Sequence, residues 1–250
     1  GKEGRAEVSF DAYRGWQSAA RKADMLNSQE YMTIMNEQQI NSGNQPYDFT
    51  KMTSIYDPNG NLYDTDWIDT MLKDNAKVES YTLGITGGSQ TSTYALSLGY
   101  MDQEGIVGGK DVSNYERYNF RINSEHKLFK DLLKVGEQVS FIYTQTTGIS
   151  VGNQYNNHLR GAFGTSPLAP VYSDNGYYDS PYNATDNSDW YRYDGNPYGV
   201  MMSTVNNQSK GTTFSGNVYA ELTPMKGLKF RTVFGAVYGT SEYRGFTPFY

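Results

Sequence analysis

Alternation is what most constrains this chain. From Tyr94 to Asn123 it reads YALSLGYMDQEGIVGGKDVSNYERYNFRIN. Tyr94, Leu96, Leu98 and Tyr100 alternate with Ala95, Ser97 and Gly99; beyond a glycine-rich break, Tyr118, Phe120 and Ile122 alternate with Asn119, Arg121 and Asn123. A period of two puts each apolar set on one side of a strand, so the stretch predicts a hairpin with one apolar and one polar face. The pattern recurs, giving seven expected strands near residues 6–17, 79–88, 91–105, 114–128, 133–146, 211–223 and 228–243. Their apolar sides carry Val8, Phe10, Tyr81, Leu83, Val139, Phe141, Phe214, Val218, Phe230 and Phe234. Their polar sides carry Ser9, Asp11, Thr82, Asn119, Arg121, Asn123, Gln138, Ser140, Asn217, Glu221, Lys229 and Arg231.

A soluble sandwich and a membrane barrel both satisfy that pattern, and connection lengths separate them. GGSQTS at 87–92, FKDLL at 129–133 and TPMKGL at 223–228 are short turns. They alternate with connections that include two of roughly sixty residues, far above the usual loop length. One tight end and one elaborate end is the asymmetry of a transmembrane barrel. With 23 Tyr, 11 Phe, 26 Gly and only 8 Pro, the composition suits strands and polar loops. No run of about eighteen apolar residues is available for a membrane-crossing helix, but alternating barrel strands keep mean hydropathy low in any case.

Short helices are expected in the first long connection. Asn27 and Glu30 have capping-box spacing, Tyr31, Ile34, Met35 and Gln38 fall together, and Gly43 is a stop signal. A second helix is expected from Asp66 through Trp67, Ile68, Met71 and Leu72. The formal net charge of −6 disfavours a nucleic-acid partner, and the absence of Cys removes disulfides, thiolate nucleophiles and cysteine metal sites. The start, GKEGRAEVSF, lacks an initiator Met, a basic region and an apolar region, so it does not read as a signal peptide. A chain either processed or cut from something longer is the expectation.

GKEGRAEVSFDAYRGWQ resembles the join between plug and barrel in SusC/RagA-type TonB-dependent outer-membrane transporters of the Bacteroidetes. NSQEYMTIMNEQQINSG, TDWIDTMLKDNAKVESYTLGITGGSQTSTYALSLGYMDQEGIV and NYERYNFRINSEHKLFKDLLKVGEQVSF resemble the family's following segments in order, and the likeness returns at GNVYAELTPMKGLKFRTVFG. The resemblance implies an all-β fold: the antiparallel wall of a larger plugged barrel of about 22 strands, with long extracellular loops containing short helices. On that basis residues 1–250 would be the N-terminal part of the barrel, with plug domain, TonB box and C-terminal strands outside them. It further implies a SusD-like surface lipoprotein over the mouth, with the loops at 18–78 and 147–210 as contact surfaces, and energy from the TonB-ExbB-ExbD complex through segments outside this stretch. The expected location is the outer membrane, in contact with its lipid. Glu137 departs from the pattern, since it falls among Val135, Val139 and Phe141 on the lipid side, where its cost is small only near the tight end.

The remaining motifs carry little chemistry. Asp57, Asn59 and Asn61 in YDPNGNLYD have no EF-hand glycine or terminal Glu, so a solvated turn is the better reading. Asp186 and Asp189 sit in polar sequence with nothing to split their pKa values, His126 and His158 make no zinc pair, no G-x-S-x-G elbow occurs, and the glycines of GGSQTS and GIVGGK lack a phosphate-binding context. No enzymatic activity, cofactor or metal is expected.

The region that could recognise a ligand is 150–210, where Tyr and Trp rings lie among Asn and Asp. Rings stack on the CH faces of sugars while amides and carboxylates bond hydroxyls; the bland reading is that they pack the loop. The densest combination, WYRYDGNPY, makes Trp190, Tyr193, Asp194 and Asn196 the candidate substrate-binding residues, with Tyr172 and Asp174 next. Asn119, Arg121, Asn123 and Arg231 are expected to face the lumen. The function expected is active import of oligosaccharides or peptides. The competing reading is a soluble or surface-attached β-rich module that binds carbohydrate without moving it; a passive porin is disfavoured because it has no use for a plug junction at residues 1–5.

Overall fold

The computed structural model describes residues 4–130, 132–149, 152, 157–173, 176 and 196–246. Seven strands, β1 (Gly4–Gln17), β2 (Ala76–Gly88), β3 (Ser92–Glu104), β4 (Asn114–Leu128), β5 (Leu133–Thr147), β6 (Gln208–Met225) and β7 (Leu228–Arg244), form one sheet. Each pairs antiparallel with the next, in chain order, so the expected meander is the observed topology and β1 and β7 are its two edges.

The register aligns the apolar alternations of successive strands into rows. Phe10, Leu83, Leu98, Phe120, Phe141 and Phe214 make one row, and Val8, Ile85, Leu96, Ile122 and Val139 the next. A slip of one residue would scatter these rows over both faces, which is why the pattern specifies the pairing. Towards the long loops the face ends in a line of tyrosines, Tyr81, Tyr100, Tyr118 and Tyr143, with ring centroids 6.2, 5.0 and 6.2 Å apart. Tyr81 and Tyr143 donate to Glu79 and Gln145 just beyond, keeping rings on the apolar side and hydroxyls on the polar one.

Glu137 keeps its place on this face, between Ser124 and Val218, so the strand register stands. It lies four residues inside the start of β5, towards the tight end. Ser124 Oγ donates to Glu137 Oε1 at 3.2 Å, and the cluster continues through His126 to Ser92. The polar group on the apolar face is thus hydrogen-bonded rather than bare.

The tight end is built by left-handed backbone. Phe129 and Lys130 adopt φ of 54° and 52° in the β4–β5 turn, and Gly227 adopts 88° in the β6–β7 turn. Glycine takes that conformation freely; Phe and Lys do not.

The buried core does not lie in the sheet. It lies at the opposite end, where the connections at 18–75 and 105–113 pack together with the described residues of the connection between β5 and β6. Helices α1 (Ser28–Asn41), α2 (Trp67–Met71), α3 (His158–Gly164) and α4 (Pro197–Met202) enclose Ile55, Trp67, Met71, Val112, Leu168 and Met201. α1 starts with the expected capping box, in which Asn27 Oδ1 accepts from Glu30 N at 3.0 Å and Glu30 accepts from Asn27 N at 3.0 Å. Its inward stripe is Tyr31, Met32 and Met35, whereas Ile34, expected alongside Tyr31, is exposed. The helix approaches the core on the side of Ser28, which is 1 % exposed and donates to Tyr63 O, and Ile34 points away from that side.

Candidate functional site

Two surfaces can meet a ligand: the polar face of the sheet and the module above it. On the polar face the register brings Asn123, Gln138 and Asn217 into one row, and Arg121, Ser140 and Ser215 into the next. Together they line a groove in which Asn217 donates to Gln138 at 3.3 Å. Asn119 lies over Gly99, where a Cβ would come within 2.4 Å of its Oδ1. Glycine at 99 is what lets that amide lie flat on the sheet.

Nearer the tight end the same face holds an ionic network. Tyr219 donates its hydroxyl to Glu125, Lys134 pairs with Glu125 at 3.2 Å, and Lys229 pairs with Glu221 at 2.9 Å. Arg231 sits 4.3 Å from the centroid of the Tyr219 ring. The cation–π contact holds its guanidinium against the wall rather than in the open groove. Asn119, Arg121, Asn123 and Arg231 thus share a face, but only Arg121 and Asn123 line the groove. Arg117, Glu125 and Tyr219 belong to the same face and were legible as further steps in the same alternation.

The module is tied to the strands by specific bonds. Trp67 Nε1 donates to Ser166 O at 2.9 Å and Thr65 N to Pro167 O at 2.9 Å, joining the first long connection to the second. Gly108 N donates to Met71 O at 2.9 Å, joining both to the β3–β4 tip. Below that tip Glu104 accepts from Lys77 N and Lys110 N, each at 2.9 Å, and from Lys73 Nζ, while Lys110 Nζ meets Asp102 at 3.0 Å. The Asp102 carboxylate beside Lys110 raises that ammonium above its ordinary pKa. Both carboxylates are buried, so their stability rests on these donors.

Asn196 caps α4, its Oδ1 accepting from Gly199 N at 2.9 Å while its Nδ2 donates to Val171 O at 2.7 Å. The amide is engaged on both sides by the fold. Tyr172 stands half exposed with its ring edge-on to Tyr198, centroids 6.2 Å apart. Trp190, Tyr193, Asp194 and Asp174 lie outside the described residues, as do Asp186 and Asp189. α3 and α4 were not read from the sequence, because each is under two turns and shows no sustained 3.6-residue period.

Asp57 makes a closed turn. Its carboxylate accepts from Asn59 N and Asn61 N at 2.8 Å each and from Asn61 Nδ2 at 3.0 Å, and Gly60 has φ of 84°. The Asn61 side chain, followed by the turn's backbone N–H groups, holds the carboxyl below its ordinary pKa. His158, at the start of α3, is pushed below the ordinary imidazole value by burial.

Comparison with known proteins follows this geometry. No family model matches the chain. It is 30 % identical over 243 residues to TonB-dependent receptor P26 of Formosa agariphila, covering 97 % of this chain and 22 % of that protein. It is 27 % identical over 237 residues to TonB-dependent receptor SusC of Bacteroides thetaiotaomicron, covering 87 % of this chain and 21 % of that protein. The solved structure of the RagAB peptide transporter superposes with a TM-score of 0.70 at 23 % identity, over 96 % of this chain and 29 % of that one. The chain therefore spans about a fifth of the curated relatives it matches, 22 % and 21 % of their lengths. These relatives are receptors and not enzymes.

Proposed function

Because this chain belongs to the SusC/RagA family of TonB-dependent receptors, we propose that the complete protein imports bulky nutrients, oligosaccharides or peptides, across the outer membrane. In this reading the sheet is a section of the barrel wall, its tyrosine-edged apolar face meets lipid, and its polar face meets the lumen. The observation that carries the reading is the separation of the two faces through all seven strands, with Phe10, Leu98, Phe120 and Phe214 on one side and Arg121, Gln138 and Asn217 on the other. A soluble binding module would cover the first face, yet Leu98, Phe141 and Phe214 are exposed among the described residues.

The module at the long-loop end would then form part of the extracellular mouth. A SusD-like surface lipoprotein is the expected partner there, and TonB-ExbB-ExbD the source of energy through segments outside this chain. Substrate selection within this stretch is assigned to the 170–198 loop, with Trp190, Tyr193 and Asp194 as its contacts and Tyr172 and Asp174 beside them. Strand residues must let cargo pass, so their contacts have to be few and readily released, whereas a mouth loop has no such constraint.

The test is uptake of labelled oligosaccharide and peptide pools by cells carrying the full-length protein. Uptake should require both the protein and an energised inner membrane. Uptake that persists after TonB is deleted would overturn active import. Trp190→Ala and Tyr193→Ala should each weaken ligand binding by roughly 1 kcal/mol, read by titration after barrel assembly is checked by heat-modifiable gel mobility; unchanged affinity in both would assign those rings to packing.

A further inference from the structure

At mid-height on the polar face, β4 presents Arg117, Asn119, Arg121 and Asn123 as successive residues of one alternation. The residues facing the two guanidiniums are uncharged: Met101 and Thr144 flank Arg117, and Ser97 and Ser140 flank Arg121. Towards the tight end, by contrast, cations are matched, Lys134 with Glu125 and Lys229 with Glu221. Glu7 and Asp11, the acids of β1 on this face, stand three strands from β4, about 14 Å away at ordinary strand spacing. Neither Arg117 nor Arg121 has an ion pair or hydrogen bond among the described residues, and Arg117 Nε is buried without an acceptor. A chain whose formal net charge is −6 thus keeps two guanidiniums without a charged partner among the described residues, Arg121 lining the polar groove and Arg117 on the same strand and face towards the long loops.

With no carboxylate beside them, the accessible N–H groups of the two guanidiniums are available to an oxygen anion arriving from outside the sheet. Resting on the import reading above, we infer that β4 is a recognition strip for a carboxylate-bearing oligomer, an acidic oligosaccharide or acidic peptide, that enters along this face. Arg117 and Arg121 lie four residues apart on one strand, about 13 Å. Two cations at that spacing with amides between them suit a chain that carries carboxylates at intervals better than they suit one compact anion. The guanidinium supplies paired N–H donors to a carboxylate, while Asn119, Asn123 and Gln138 take the hydroxyls or amides between charges. Two exposed or half-exposed contacts of this kind hold cargo without trapping it.

The experiment measures binding of hexagalacturonate, hexaglutamate and neutral maltohexaose to the purified full-length receptor in detergent. At least one acidic hexamer should bind, more weakly as salt rises, and Arg117→Gln with Arg121→Gln should reduce that affinity about tenfold or more. Lys51→Gln, which removes one positive charge from an exposed loop side chain, should leave it unchanged. The inference is overturned if neither acidic hexamer binds, if maltohexaose binds as well as they do, or if the Lys51 variant loses as much as the double variant. It is also overturned if the double variant keeps its affinity while its melting temperature falls, since the guanidiniums would then be neutralised by another part of the receptor. Energy-dependent uptake, measured separately, tells failure of the strip from failure of the import reading.

Discussion

At the residue scale, side chains that look alike in sequence divide by what the backbone offers them. Asn196 stood out for its aromatic and acidic neighbours, yet its amide closes α4 on one side and holds Val171 on the other. Asn196→Ala should cost about 1–2 kcal/mol of local stability through the lost cap. Asn196→Asp should recover most of it, read as hydrogen-exchange protection over 197–202; equal protection in all three proteins would refute the capping role. The tight turns make a second residue-scale prediction. Lys130→Gly should stabilise the β4–β5 turn and Gly227→Ala should destabilise the β6–β7 turn, each by about 1 kcal/mol. Urea unfolding of the refolded full-length barrel measures both, and shifts of the same sign would contradict the left-handed conformations.

At the element scale, the long connections act as one folded module rather than as separate loops. Trp67 is its keystone, 2 % exposed and bonded through Nε1 to Ser166 O. Trp67→Ala should cost the module about 3–5 kcal/mol, and Trp67→Phe should cost less because most of the packing remains. Hydrogen exchange in 28–72 and 158–171 should rise while heat-modifiable mobility of the barrel stays normal; loss of the barrel itself would show that module and wall fold as one unit. His158 gives this module a pH dependence. Burial lowers its pKa in the folded state, so the unfolded chain binds the extra proton first. Its contribution is complete above the ordinary imidazole value near 6.5 and is lost as pH falls through and below it. The protection factor over 158–171, corrected for the intrinsic pH dependence of exchange, should therefore fall from about pH 7 to pH 5, and His158→Gln should flatten that fall.

At the scale of the whole molecule, the two faces of the sheet make opposite predictions for the same substitution. Leu96→Arg places a charge in the apolar rows beside Ile85 and Ile122 and should cost about 2–4 kcal/mol near mid-membrane. Thr82→Arg places it on the polar face opposite Asp11 and Gly99 and should be tolerated. The fraction of full-length protein assembled in outer membranes decides between them. Equal assembly of the two variants would mean that the apolar face does not lie in lipid.

What the sequence determined by itself is what local periodicity can carry. Strand identity and the division into two faces follow from a two-residue alternation repeated through Tyr94, Leu96 and Leu98 or Asn119, Arg121 and Asn123, because a slip of one residue would invert every side chain. The α1 cap was legible for the same reason, since Asn27 and Glu30 satisfy each other within one turn. Only the tertiary structure decided that the core lies in the connections. Trp67 and Ser166 are 99 residues apart in the chain, and Val112 reaches the same core from a hairpin tip, so no local pattern announces their contact. Nor could the chain order show which charges are matched. Glu125 meets Lys134 and Tyr219 because three strands bring them together, and the same pairing leaves Arg117 and Arg121 facing uncharged neighbours. Electrostatic balance depends on distances between strands, and those exist only once the sheet has formed.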